Sequence, residues 1–393
     1  MDDFKYIYLD NAATTPMDPR VIEEININFK ENYGNSSSLH SIGQKAGLTL
    51  ENSRKMLASL INAERSDIIF TSSGTEADNI AIIGVAHKNK KKGNHIIISS
   101  IEHHAVENPC RYLENFGFKI TFLPVDKYGL IDLKELKEAI TNKTILISIM
   151  FANNEIGTIE PIKEIGEIAK DKGIIFHTDA VQAFGKVPID VNEMNIDLLS
   201  ASAHKIYGPK GIGLLYLRNK GEKINGDKIL EPIMFGGGHE SAIRPSTVAV
   251  PLIAGFAKAV DLAKEEMKQE AERQIQLRNK IIKTVLDNIN DSYLNGHPKK
   301  RLPNNVNFGF KRIEGESIVL DLDMEGIATS TGSACSSKDE APSHVLRAIG
   351  LTPQDAQGSL RVSLGRFTKE ADVDYFIGKL PPIIERLRKI SPF

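Results

Sequence analysis

From residue 68 onward, short apolar runs alternate with stretches whose apolar residues recur at helical spacing. The runs "IIFT", "HIIISS", "KITFLPV", "TILISIMF" and "IIFHTDA" read as strands. Segments from about Glu76, from about Ala105, at "DLKELKEAI", and between an opening Pro161 and a closing Gly173 read as helices. Strand and helix in this order predict stacked βαβ units around a parallel sheet. The strands are apolar at nearly every position, so helices should cover both sheet faces. "LLSASA" and "GIGLLYL" add strands on either side of the turn-rich "SASAHKIYGPKG". A long helical stretch from residue 254 leads out of this unit. A strand "NNVNFGF", a helix near "GESIVLDLDM", a strand "SLRVSLG" and a terminal helix opened by Thr368 follow. The pattern predicts an α/β fold with a large, mostly parallel sheet domain over residues 16–258. A smaller α+β domain is expected from residues 1–15 and 259–393.

Length and charge narrow the function classes. A chain of 393 residues suits one large domain and a smaller one. A net charge of -2, with 25% charged residues, leaves no electrostatic footprint for nucleic acid. The start "MDDFKYIYLD" lacks the order of a signal peptide and no apolar run approaches membrane-spanning length, so a cytoplasmic protein is expected. The basic runs "HKNKKKG", with Gly93 as a helix cap, and "HPKKR" read as solvated surface. Two cysteines, Cys110 and Cys335, cannot supply a disulfide framework or a structural zinc site. Cysteine chemistry here would use a single thiol, and no metal site is expected.

Candidate chemistry gathers at the strand ends. Small residues beside Lys205 would let a planar group approach, while Gly208, Pro209 and Gly211 fix a turn behind it. A desolvated lysine can form a Schiff base. By itself a lysine is ordinarily a surface charge, so its company matters. Asp179 and Gln182 follow a buried strand, where open α/β sheets bind ligands. An acidic partner for a pyridinium nitrogen belongs with a Schiff-base lysine. "FTSSGTEADN" runs strand, small polar loop, helix, a plausible phosphate cradle or an ordinary cap. "SSIEHHAVENP" sets His103 and His104 after another strand, either for stacking on a ring or for a solvated loop. Cys335 lies in "ATSTGSACSSKDEAP", small and polar surroundings that suit an exposed reactive thiol, whereas Cys110 reads as a core residue.

The motifs "YLDNAATTP", "NNEIG", "HTDAVQ", "SAHKIYGPKGIG", "FGGGHE", "TGSACSS" and "RVSLGRFT" span nearly the whole chain. In that order they resemble the cysteine desulfurases, fold-type I pyridoxal-phosphate enzymes that take sulfur from L-cysteine for iron–sulfur cluster assembly. The resemblance implies pyridoxal 5'-phosphate as cofactor, bonded to Lys205, with Asp179 at the ring nitrogen, Gln182 at the phenolic oxygen and His103 stacked on the ring. Gly74, Thr75, Ser202 and His204 would hold the phosphate, completed by Thr247 of a second subunit in a homodimer. Asn154, Arg361 and Asn35 would contact the substrate, L-cysteine. Cys335 would take its sulfur as a persulfide and pass it to a scaffold or other acceptor protein. Three positions depart from the family pattern: Ser36 stands where proline is usual, and Ser73 and Ser246 where glycine is. Selenocysteine lyase, or another pyridoxal-phosphate lyase on this fold, is the alternative reading. A non-enzymatic assembly partner would not need Lys205, Asp179, His103, Cys335 and Arg361 together.

Overall fold

A computed structural model describes residues 6–221, 228–332 and 342–391. Strand β1 (Ile7–Tyr8) is followed by helices α1 (Pro19–Glu31) and α2 (Ser41–Leu60). Then come β2 (Ile68–Thr71), α3 (Gly74–Asn89), β3 (His95–Ser99), α4 (His104–Glu114), β4 (Lys119–Leu123), α5 (Leu133–Ala139), β5 (Thr144–Ser148), α6 (Ile162–Lys172) and β6 (Ile175–Asp179). Strands β7 (Leu198–Ser202) and β8 (Gly213–Leu217) close a seven-stranded sheet of order β2-β8-β7-β6-β5-β3-β4. Pairing is parallel from β7 to β4, but β8 runs antiparallel to both its neighbours, β2 and β7. The sheet is therefore mostly parallel, as its apolar strands predict. Apolar cores lie on both faces. One contains Phe176, Leu199 and Leu214; the other contains Ile96, Leu146 and Leu198.

Helix α7 (Val250–Asn288) runs for 39 residues and leaves one core to enter another. Its first half packs Ile253, Phe256 and Val260 against the large sheet, and its second packs Leu277, Ile281 and Val285 into a separate cluster. That cluster is closed by β9 (Ser292–Asn295), β10 (Asn305–Phe310), α8 (Gly315–Met324), β11 (Ile327–Ala328), β12 (Ser359–Ser363) and α11 (Glu370–Ile390), while α9 (His344–Ala348) and α10 (Pro353–Gln357) pack Val345, Leu346 and Ala356 into a further cluster with Ile101, Met150 and Ile156. β10 is the central strand of an antiparallel trio with β9 and β12, and β11 pairs with β1 in parallel.

Three local expectations are corrected. Gly93 is not a left-handed cap of α3. The helix ends at Asn89, and Gly93 is small because a Cβ there would stand 2.2 Å from the Lys143 carbonyl. In "HPKKR" the last residue is not solvated: Arg301 is buried and donates to the carbonyls of Ile156, Asn295 and Asn305. The terminal helix begins at Glu370, and Thr368 instead accepts the Gly365 N–H on its hydroxyl. Gly173, by contrast, ends α6 in the left-handed conformation expected of it, at φ 66°. No helix among the described residues is long and apolar enough to cross a membrane.

Candidate active site

The carboxyl ends of β2, β3, β5, β6 and β7 surround a cavity of about 280 Å³. It is lined by Gly74, Thr75, His103, Asn154, Asp179, Gln182, Ser202, His204, Lys205 and Arg361, which come from points spread over most of the sequence. Asn35 and Thr247 are exposed and line no part of this cavity. Asn35 spends its side-chain oxygen on the Ser37 N–H at 3.0 Å. Cys335 and its flanks, residues 333–341, lie outside the described residues.

Each side chain is positioned by its backbone. Ser202 ends β7, and Lys205 follows within one tight turn. Lys205 Nζ donates to the carbonyls of Ala12 at 2.6 Å and Ala13 at 2.7 Å, so the N-terminal loop holds the amine at the cavity wall. The same loop fixes His204, whose Nδ1 meets Thr14 Oγ1 at 3.1 Å. Lys210 is exposed on the turn beyond. Ser73, where the family pattern has glycine, caps α3 by accepting the Glu76 N–H at 3.1 Å, and its φ of -170° is ordinary extended backbone. Gly74 begins α3. A Cβ on it would stand 2.5 Å from Val181 Cγ2, so the first turn of the helix reaches the cavity floor only because this residue has none. The N–H groups of that turn have no carbonyl partner within the helix and suit an anion.

Burial sets the charge state of the site. His103 caps α4 by accepting the Ala105 N–H on Nδ1 at 3.1 Å, which leaves its proton on Nε2. Burial, and then Lys205 nearby, push its pKa down to about 4, and the same causes act on His204. Both rings are neutral near pH 7. Asp179 ends β6 and accepts the Val181 N–H at 2.9 Å. Burial raises its pKa to about 6, against that N–H and Lys205, which lower it. Asp78 is pushed far higher by burial and by Asp179, so of these two carboxyls Asp78 keeps its proton. His177, between Ser148 Oγ at 2.8 Å and Ser200 Oγ at 3.0 Å, is held neutral by burial.

Sequence reasoning missed several of these partners. Arg361, on β12, is 2% exposed and is not free for a ligand alone. Its Nη2 donates to Asp10 at 2.8 Å, and its Nη1 to the carbonyls of Asn154 and Gly332 at 3.2 Å. Only Nε is buried with no partner. Asp10 stands inside the motif "YLDNAATTP", and a buried arginine on a strand demands such a counter-ion. Lys186 donates to Gln182 Oε1 at 3.2 Å, while Gln182 Nε2 donates to the Ala12 carbonyl at 2.9 Å. Burial pushes Lys186 down to about 7.

The residues fit pyridoxal phosphate. An amine at the wall, a buried carboxylate, a neutral imidazole and a helix start that a Cβ would fill are the parts that cofactor needs. The sequence matches the family model described as aminotransferase class-V over residues 7–376. It is 53% identical over 391 residues to the cysteine desulfurase IscS of Clostridium botulinum (strain Hall), covering 99% of this chain and 96% of that one. Among solved structures it resembles a NifS-like protein with a TM-score of 0.90 and 37% identity, over 98% of this chain and 100% of the other. It also resembles SspA in complex with cysteine, with a TM-score of 0.82 and 36% identity over 92% and 100% of the two chains.

Proposed function

This chain belongs to the aminotransferase class-V family, and we propose that it works within it as a cysteine desulfurase, converting L-cysteine to L-alanine and supplying the sulfur for iron–sulfur cluster assembly. Its cofactor, pyridoxal 5'-phosphate, supplies when bound an electron sink for the α-carbon of the amino acid joined to it. Lys205 would hold it covalently. Asp179 would serve its ring nitrogen, Gln182 its phenolic oxygen, His103 its ring face, and Gly74, Thr75, Ser202 and His204 its phosphate. Arg361 and Asn154 bind the substrate carboxylate, for which the unpartnered Nε of Arg361 is the available donor. Asn35 is assigned to the substrate side from a neighbouring loop. Lys205 Nζ would take the α-proton and later return a proton to the same carbon.

The Cys335 thiolate attacks the substrate sulfur. A sulfur–sulfur bond forms and the carbon–sulfur bond breaks. Its electron pair stays with carbon, which takes a proton and becomes the methyl group of alanine, and Cys335 is left as a persulfide. The observation that carries this reading is the convergence of Lys205, Asp179, His103 and Arg361 on one cavity.

The working form is read as a cytoplasmic homodimer in which Thr247 reaches the partner's phosphate site. In support, Thr247 is exposed, and apolar Phe29, Tyr33 and Leu39 are 58%, 69% and 91% exposed. The sulfur acceptor is a scaffold or similar carrier protein.

Mass spectrometry after incubation with L-cysteine should find one added sulfur on Cys335, and borohydride should fix the cofactor on Lys205. Alanine release from a chain whose Cys335 never gains sulfur would remove the transfer step. A borohydride label on exposed Lys210 would remove the cofactor assignment.

A further inference from the structure

Beside the cavity, α4 and α9 bring three ligating side chains to one point. His104 and Glu107 occupy i and i+3 in the first turn of α4, and His344 opens α9. One ligand atom from each lies within 4.8 Å of the others, and all three residues are half-buried. His104 Nδ1 is 3.3 Å from Glu107 Oε2. Two donors bound at about 2.0–2.2 Å to a tetrahedral ion stand about 3.3–3.5 Å apart, so one edge of such a site is already set. The rings of His104 and His344 have centroids 4.8 Å apart and are tilted by 38°.

The two acceptors are braced from behind. Arg111 donates from Nε at 2.8 Å and from Nη2 at 2.7 Å to Glu107 Oε1, which leaves Oε2 for an ion. His344 Nε2 lies 2.9 Å from the Glu102 carbonyl, a contact that needs the proton on Nε2 and so puts the lone pair on Nδ1. Outer partners of this kind orient metal-binding histidines and carboxylates. A helix-surface ion pair would account for His104 and Glu107 alone. It gives no reason for a second imidazole at the same place.

We propose that His104, Glu107 and His344 form a binding site for a divalent transition metal of the zinc class, with two nitrogen ligands, one oxygen ligand and the remaining positions open. An ion there ties the start of α4 to α9. It also sits next to His103, whose ring is 6.4 Å from that of His104 and lines the cavity.

The test uses cofactor-loaded enzyme carrying Cys335→Ser, so that the thiol of residue 335 cannot compete; Cys110 is fully buried. Titration with Co²⁺ should give the visible bands of a four- or five-coordinate site at one equivalent, displaced by Zn²⁺. Zn²⁺ should also raise the melting temperature. His344→Ala and Glu107→Gln, introduced singly, should each weaken Zn²⁺ binding about tenfold or more and abolish that rise, with cofactor absorbance unchanged. Glu107→Gln keeps the side-chain shape, so its metal-free melting temperature separates lost ligation from lost folding. Unchanged Zn²⁺ affinity in both variants, or no one-to-one binding to the parent at micromolar Zn²⁺, would overturn the assignment.

Discussion

Gly74→Ala perturbs the cavity floor by one methyl group. The new Cβ would lie 2.5 Å from Val181 Cγ2, and restoring an ordinary 3.4 Å contact moves the start of α3 or the Val181 loop by about 0.9 Å. A charge-assisted hydrogen bond of about 2.8 Å stretched by that much is lost. Losing one such bond to the cofactor phosphate costs about 1.5–3 kcal/mol, which weakens cofactor binding roughly tenfold to a hundredfold. Overpacking alone destabilises by about 1–3 kcal/mol, so the metal-free, cofactor-free chain should also melt earlier. Both effects are traced to one atom pair by adding Val181→Ala, which deletes the methyl that clashes. In a double-mutant cycle the second substitution should restore most of the affinity, read by absorbance titration of cofactor-free enzyme. Parental affinity in Gly74→Ala, or no recovery in the double variant, would show that the helix start does not hold the phosphate.

Arg361→Ala should lower kcat/KM for L-cysteine about tenfold or more while the cofactor spectrum survives, since the loss of a charged donor costs about 1.5–3 kcal/mol; unchanged kinetics would place the carboxylate elsewhere. Asp179 has a folded pKa of about 6, above the 3.8 of the free side chain. In cofactor-free enzyme its ionisation therefore removes stability as pH rises from about 4 to 6, and Asp179→Asn should flatten that fall in thermal melts. A parental slope in the variant would assign the titration to another group. Lys205→Ala and Thr247→Ala, each inactive alone, should regain activity when mixed under subunit exchange. No recovery despite demonstrated exchange would mean that one chain builds the whole site. Cys335→Ser should keep the cofactor but nearly stop alanine release from L-cysteine, and persistence of that release would favour the lyase alternative.

The strands and the helices between them were legible because buried parallel strands leave continuous apolar runs, and because Pro161 and Gly173 punctuate α6 by backbone rules that hold in any context. Helix α1 was not. Val21 and Ile25 face the core, yet Ile22 and Phe29 continue the same apolar stripe into solvent and Ile27 lies off it, so apolar position alone does not mark which residues are buried. The reversed direction of β8 depends on the short turn after Lys205, a tertiary matter that apolar content does not encode. In the site, Lys205, Asp179 and His103 stood out because each follows a strand in a small-residue setting. Asp10 and Lys186 did not, since they act through Arg361 and Gln182, and a supporting residue carries no signal until its partner is known to be buried. The same holds for His344, brought to His104 only by the fold.

The joining of residues 8–13 to β12 sets a timetable for synthesis. Asn11 bonds the Ser363 carbonyl, and Asp10 bonds Arg361, across separations of 352 and 351 residues. At roughly 5–20 residues per second, the early loop waits roughly 18–70 s on the ribosome for its partner strand. Through that interval the seven sheet strands can assemble, but Arg361 is not yet present. A nascent chain that captured cofactor early would therefore hold it in a pocket that still lacks its Arg361 wall until β12 emerges. If Arg361 has the role proposed for it, translation order delays a productive site until β12 has been made.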